Sequence, residues 1–281
     1  MIRLASLGAA GQERPVWVSE DGTRFTEAGV DSWRAALENG SFDSLLAASR
    51  QESKAGWREI AGQRLGPPIP QPSKIVAVGL NYRDHAAEQG KKPPEEPLLF
   101  AKAPTCLIGR GDSIRIPPQE EKADAEAELM VVVARRTRNA GVADATRAIL
   151  GYTIFNDVSG RSAQSGDRQW FRGKSFDTFG PCGPWIVLAP EIPDPHALGV
   201  RAFWNDVLMQ ESTTGNLIFG VYELIAYISR QMTLWPGDLV ATGTPSGVGL
   251  YRTPPVFLKA GDRIRIEIDG VGVLENPVEN G

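Results

Sequence analysis

Residues 123–133 read ADAEAELMVVV. From Leu129 on, every position is apolar, so a strand running through this segment is buried on both faces. Side chains two apart in a strand share a face. Glu126 and Glu128 therefore stand on one side, with Ala125, Ala127 and Leu129 on the other. Two neighbouring carboxylates at the entrance to a core repel one another, and each is costly to desolvate. A divalent cation removes both penalties; the alternative is a strand face that stays in water. A third acid fits the first reading, because Asp157 ends the strand-like run GYTIFND at 151–157. Carboxylates without a nearby His or Cys select a hard ion, Mg²⁺ or Mn²⁺ in octahedral oxygen geometry.

Outward from this strand, β signals outnumber helical ones. The first seventy residues read as a small module. IRLASL (2–7) and RPVWVSEDGTRFTEAG (14–29) predict short strands with a turn at Asp21-Gly22. DSWRAALENGSFDSLLAASRQ (31–51) predicts one or two short helices, with Asp31 and Ser41 as N-caps and Gly40 as a stop. Four prolines between Pro67 and Pro72 mark a linker. The domains expected are 1–70, small and α+β, and 71–281, which carries the chemistry.

Within the second part, strands are expected at KIVAVGL, LLFAK, SIRI, AELMVVVAR, GYTIFND, DLVATGT and DRIRIEIDGVGVLE. VRAFWNDVLMQES predicts a hairpin turning at Asn205-Asp206, and GKKPPEEP a mobile loop. NYRDHAAEQ, VADATRAILG and FGVYELIAYISRQM predict helices. Strands and helices do not alternate regularly, which argues for a mixed, β-rich α+β core and against a doubly wound sheet.

The chain has 281 residues and a formal net charge of −4, with no Lys/Arg block. Nucleic acid and anionic membrane surfaces are therefore not expected partners. No apolar run approaches the roughly 20 residues that span a bilayer. MIRLASLGAAGQERP lacks a sustained apolar stretch before Gln12 and Glu13, so no signal peptide is expected. Two distant cysteines, Cys106 and Cys182, suggest reduced thiols and a cytoplasmic location rather than a disulfide framework or zinc site.

Further candidates lie elsewhere. His85 and Glu88 share a helix face three residues apart; a carboxylate beside an imidazole orients it and raises its basicity, so the pair is suited to activating water. A solvated surface pair is the plainer alternative. His196, in IPDPHALG, reads as structural. Lys174, in WFRGKSFDTFGP, has aromatic neighbours that hint at a pocket-facing ammonium, although Asp177 could simply pair with it. A P-loop is excluded, because its first glycine would fall at Arg168. ATGTPSGVG (241–249) forms a tight loop whose N–H groups could cradle a carboxylate.

Taken in order, NYRDHAAE, AEAEL, NDVSGRSAQ, KSFD and TGTPSGVG resemble the fumarylacetoacetate hydrolase family from about Lys74 onward. The resemblance implies a mixed β-roll with a small N-terminal domain, and a homodimer. It implies Mg²⁺ or Mn²⁺ on Glu126, Glu128 and Asp157, and His85 with Glu88 as a water-activating dyad. It implies Lys174 facing the substrate, with Gln164 and Thr244 as substrate contacts. An aromatic residue often precedes the first ligand glutamate in that family; here Ala125 does, which alters the pocket wall. The activity expected first is hydrolysis of a C–C bond in acylpyruvates or other 2,4-dioxo acids through a stabilised enolate. A lyase, an oxaloacetate decarboxylase or an isomerase on the same scaffold is the alternative, and a non-catalytic carboxylate-binding protein a third.

Overall fold

The computed structural model describes residues 2–51 and 56–281, and residue 1 and 52–55 of the expected 1–70 module lie outside it. Among the described residues, twelve strands join one mixed sheet. Its main path runs from Arg58–Glu59 through Arg24–Glu27, Arg14–Ser19 and Ile2–Leu7 to Gly180–Leu188. It continues through Ile149–Asn156, Ala127–Val133, Leu239–Ala241 and Ile75–Gly79 to Leu98–Lys102. The N-terminal strands enter this sheet where Leu4 pairs with Ile186. A second sheet of five strands orders Val207–Thr213, Gly199–Trp204, Arg263–Ile268, Gly272–Asn280 and Ile114–Ile116. This sheet-rich α+β architecture is the expected class.

Ala127–Val133 is buried at every position, paired with Ile149–Asn156 on one side and Leu239–Ala241 on the other. Its two faces serve two cores. Ala127, Leu129, Val131 and Val133 pack with Val221, Leu224 and Ile228 of the helix Val221–Gln231 and with Ile264 and Ile266. Met130 and Val132 pack with Trp17, Trp33, Phe42 and Ile186. Glu128 has the parity of Met130 and Val132. Apolar burial on both faces, at about 25 cal/mol per Å², fixes the register, since a one-residue slip would turn Glu128 into the opposite core.

The Asn205-Asp206 turn forms as read, with φ of +48° and +67° at its two central residues, the handedness that matches strand twist. Three local readings change. The first helix, Trp33–Glu38, is capped by Ser32, whose hydroxyl accepts from Ala35 N at 3.0 Å, not by Asp31. The proline segment is packed: Pro67, Pro68 and Ile69 are buried, and Ser6 Oγ donates to Pro68 O at 2.8 Å. VADATRAILG is helical only over Val142–Ala145 and a following turn, then becomes strand at Ile149.

Candidate functional site

Strand Ala127–Val133 does not extend back to Glu126. Ala123–Asp124 pairs separately with Ser159–Gly160, and Ala125-Glu126 forms a break between the two strands. Side chains fill the ladder there: Glu126 N donates to Asn156 Oδ1 at 3.1 Å, and Ala127 N to Gln210 Oε1 at 3.0 Å. The break aims Glu126 toward Glu128 and Asp157, and one oxygen from each of the three lies within 4.8 Å of the others. All three are buried.

The cluster is rich in charge. Lys174 Nζ, buried, lies 2.8 Å from Glu126 Oε2 and 2.6 Å from Asp157 Oδ2. Lys102 Nζ takes the other Asp157 oxygen at 2.6 Å. Arg161 joins Glu126 Oε1 at 2.6 Å to Asp124 Oδ2 at 2.6 Å. Four buried carboxylates, Asp124, Glu126, Glu128 and Asp157, thus face three buried cations, which leaves one negative charge over. It falls on Glu128. Burial first, then Asp157 and Glu126, push its carboxyl well above the usual range. Burial opposes ionisation of Glu126 too, but Lys174 and Arg161 outweigh it and hold that carboxyl below its ordinary value. Lys174 is raised, since Asp157 and Glu126 overcome its burial. An all-oxygen, buried donor set with one carboxyl that no protein cation pairs fits a hard divalent cation.

The glycine loop does not present a free cradle. Gly243 N donates to Glu128 Oε2 at 2.7 Å, Gly247 N to Glu88 Oε1 at 2.8 Å, and Gly249 N to Asp124 Oδ1 at 2.9 Å. These three N–H groups orient the protein's own carboxylates, while Thr244 faces the cavity with its hydroxyl accepting from Gln210 at 2.8 Å.

His85 and Glu88 lie on the helix Arg83–Glu88, with Nδ1 2.8 Å from Glu88 Oε2. Tyr251 meets the imidazole edge-on at 5.7 Å. A cavity of about 370 Å³ is lined by His85, Glu126, Glu128, Gln164, Lys174 and Thr244. Glu88 stands behind His85, and Asp157 behind Lys174. All eight residues singled out in the sequence therefore meet at one place. Lys174 pairs with the acidic cluster rather than with Asp177. His196 lies elsewhere, where its Nε2 accepts from Val221 N at 2.9 Å and caps a helix.

Sequence reasoning missed Asp124, Arg161, Lys102 and Tyr251. Asp124 continues the spacing-by-two of Glu126 and Glu128, and that signal was available. Lys102 closes the apolar run LLFAK, as Lys174 sits among aromatics; the same cue applied to it.

Comparison with known proteins places this geometry. The family model described as fumarylacetoacetate (FAA) hydrolase C-terminal matches residues 74–279. Oxaloacetate tautomerase fahd2, mitochondrial, of Xenopus laevis is 43% identical over 247 residues, covering 87% of this chain and 77% of its own. The 5-carboxymethyl-2-hydroxymuconate delta-isomerase of Mycobacterium smegmatis superposes with a TM-score of 0.80 at 35% identity, covering 99% of each chain. Maleylpyruvate hydrolase of Sphingobium sp. SYK-6, solved with manganese(II) and pyruvate, does so with a TM-score of 0.81 at 29% identity, again over 99% of each. With its acidic cluster, its His–Glu pair and its sheet-rich fold all within the matched region, the chain belongs to the fumarylacetoacetate hydrolase family.

Proposed function

We propose that this chain is a divalent-cation-dependent enzyme that takes 2-oxo acids through their enol form, and that keto–enol tautomerisation of oxaloacetate is its reaction. The observation that carries this reading is that His85 faces one cavity with Glu126 and Glu128 of the buried acidic cluster. The 43% identity to an oxaloacetate tautomerase supports this choice of substrate class.

Glu126, Glu128 and Asp157 would hold Mg²⁺ or Mn²⁺, which supplies Lewis acidity that favours an enolate over its ketone. The protein's own groups divide the remaining work. Glu88 accepts the Nδ1 proton of His85, which leaves Nε2 as the basic nitrogen. Nε2 takes a proton from the carbon next to the 2-oxo group, and the Glu88 carboxylate stabilises the imidazolium that results. Lys174 places its ammonium beside the same oxygen-rich end of the cavity and donates toward the 2-oxygen as charge develops there. Gln164 and Thr244 supply polar contacts to the bound acid. Return of the proton to oxygen completes the enol, and the reverse order gives the ketone.

The reaction expected first from the sequence, C–C hydrolysis of acylpyruvates, is the second reading. The His85–Glu88 pair favours it, since such a pair also activates water, and a maleylpyruvate hydrolase shares the fold. A homodimer and a cytoplasmic location accompany both readings.

The test follows enol-to-keto conversion of oxaloacetate spectroscopically with Mg²⁺ and with Mn²⁺, beside pyruvate release from acylpyruvates. His85→Ala is expected to lower the tautomerase rate about 10²–10⁴-fold. Pyruvate release without tautomerisation assigns the hydrolase instead. Inertness toward both substrate classes favours a carboxylate-binding protein.

A further inference from the structure

Four hydrogen bonds form a chain at the C-terminal end of the helix Arg83–Glu88. Lys91 Nζ donates to Gln89 Oε1 at 2.8 Å. Gln89 Nε2 lies 2.7 Å from His85 Nε2, and His85 Nδ1 lies 2.8 Å from Glu88 Oε2. Gly247 N donates to the other Glu88 oxygen at 2.8 Å. Both ends have fixed polarity: an ammonium only donates, and a carboxylate only accepts. The chain can therefore run only one way. Gln89 must offer its carbonyl oxygen to Lys91 and its amide N–H to His85 Nε2. In this arrangement the basic nitrogen of His85 is covered by a protein donor.

The cover is held by a residue that solvent and ligand can reach. Lys91 is exposed, and with Gln89 and His85 it lines the same cavity as Glu126 and Glu128, as does the exposed Lys122. Its backbone is anchored where the helix Arg83–Glu88 ends: Lys91 N donates to Ala86 O at 2.9 Å after Gly90 turns the chain with φ of +63°. A carboxylate is a stronger partner for an ammonium than an amide oxygen is. An anion entering the cavity thus draws Lys91 off Gln89. Without its ammonium partner, the Gln89 side chain is no longer held in the orientation that covers Nε2.

We propose that Gln89 is a removable cap on His85 Nε2, and that Lys91 lifts it by pairing with the second carboxylate of a dianionic 2-oxo acid. Lys91 is then a specificity-determining residue and Gln89 a positioning residue. A monoanionic 2-oxo acid of the same length fills the acidic end of the cavity but leaves the cap in place. The identity of the first carboxylate's site rests on the tautomerase reading; the cap itself does not depend on turnover.

The test reads the cap directly. The chain has two histidines, so ¹⁵N-histidine NMR of the full protein with Mg²⁺ reports His85 against His196. The probes are 3,3-difluorooxaloacetate, which cannot enolise, and 3,3-difluoro-2-oxobutanoate, which has a methyl group in place of the second carboxylate. The dianion is expected to move the His85 Nε2 resonance toward that of an unbonded imidazole nitrogen, and the monoanion to leave it in place. Gln89→Ala should show the uncapped resonance without ligand, and Lys91→Met should abolish the response to the dianion. In turnover, the kcat/KM ratio of oxaloacetate over its 4-ethyl ester should exceed tenfold and fall toward one in Lys91→Met. Equal responses to both probes, no response to the dianion, or a Lys91→Met protein that responds like wild type would each overturn the proposal. A dianion-specific shift in a protein that does not tautomerise oxaloacetate removes the reaction and keeps the cap.

Discussion

Lys102 Nζ stands 2.6 Å from Asp157 Oδ1 with neither side chain exposed. Asp157 therefore has an ammonium on each oxygen, Lys174 being on the other. Both cations compensate the acid within the protein, and a bound divalent ion would share that duty. Lys102→Met keeps the apolar stem and removes the charge. Breaking a buried pair costs about 3–5 kcal/mol, read as a loss of unfolding free energy in urea. The loss is expected to be smaller with saturating Mg²⁺, because the ion restores positive charge beside Asp157. Equal losses with and without Mg²⁺ would mean that Lys102 and the cation do not act on the same carboxylate.

Glu126 and Glu128 carry the cation assignment. Glu126→Ala with Glu128→Ala leaves one carboxylate, already held by two lysines, and is expected to abolish Mn²⁺ binding in calorimetry. Wild-type affinity in the double variant would remove the metal site from this place. Glu128→Gln alone is expected to weaken Mn²⁺ yet stabilise the metal-free protein, since among the described residues Glu128 is the acid of this cluster that has no ion pair and that burial beside Asp157 and Glu126 disfavours in its charged form.

The parts of the fold set by short-range chemistry were legible. Asn205-Asp206 and Asp269-Gly270 announce their hairpins, and the run from Leu129 to Val133 announces a strand with core on both sides. The alternation that brought Glu126 and Glu128 together assumed a continuous strand; the side chains converge although the strand breaks at Ala125-Glu126. What the sequence hid is pairing across distance. Arg161 meets Asp124 across 37 positions, and Lys102 meets Asp157 across 55. The glycine loop was legible as a tight turn with donors, but which acceptors it meets depends on strands more than a hundred residues away. The same holds for Pro67–Pro72, where composition suggests a linker and tertiary packing buries Pro67, Pro68, Ile69 and Pro72.

Cys106 and Cys182 are both buried and free. Burial pushes the Cys106 thiol from 9.0 up to about 11, and raises Cys182 further. Thiolate is the reactive form, so neither residue should react with a disulfide reagent at pH 8 in the folded protein, and both should react in 6 M guanidinium, a roughly denaturing concentration. A raised thiol pKa favours folding below the unfolded-state value. That contribution of Cys106 is whole below pH 9.0 and is lost as pH rises toward about 11. Rapid labelling of the native protein at pH 8 would contradict this burial.

Gly243 joins backbone conformation to the acidic cluster. Its φ is +101°, and its N–H reaches Glu128 Oε2 at 2.7 Å. A Cβ there would stand 2.9 Å from Asn81 Cβ and 3.2 Å from Val78 O. Asn81 cannot give way cheaply, because it is fully buried and its amide binds Phe219 N, Phe219 O and Thr242 O. Gly243→Ala should therefore cost about 1–3 kcal/mol of strain and displace the donor that orients Glu128. A fall of at least tenfold in Mn²⁺ affinity is expected. Gly261 supplies the control: its φ is +93°, and a Cβ there meets nothing within 4 Å. Gly261→Ala carries comparable backbone strain without touching the site, so it should lower stability and leave Mn²⁺ affinity alone. If the two variants bind Mn²⁺ equally well, the Gly243–Glu128 bond does not organise the cluster.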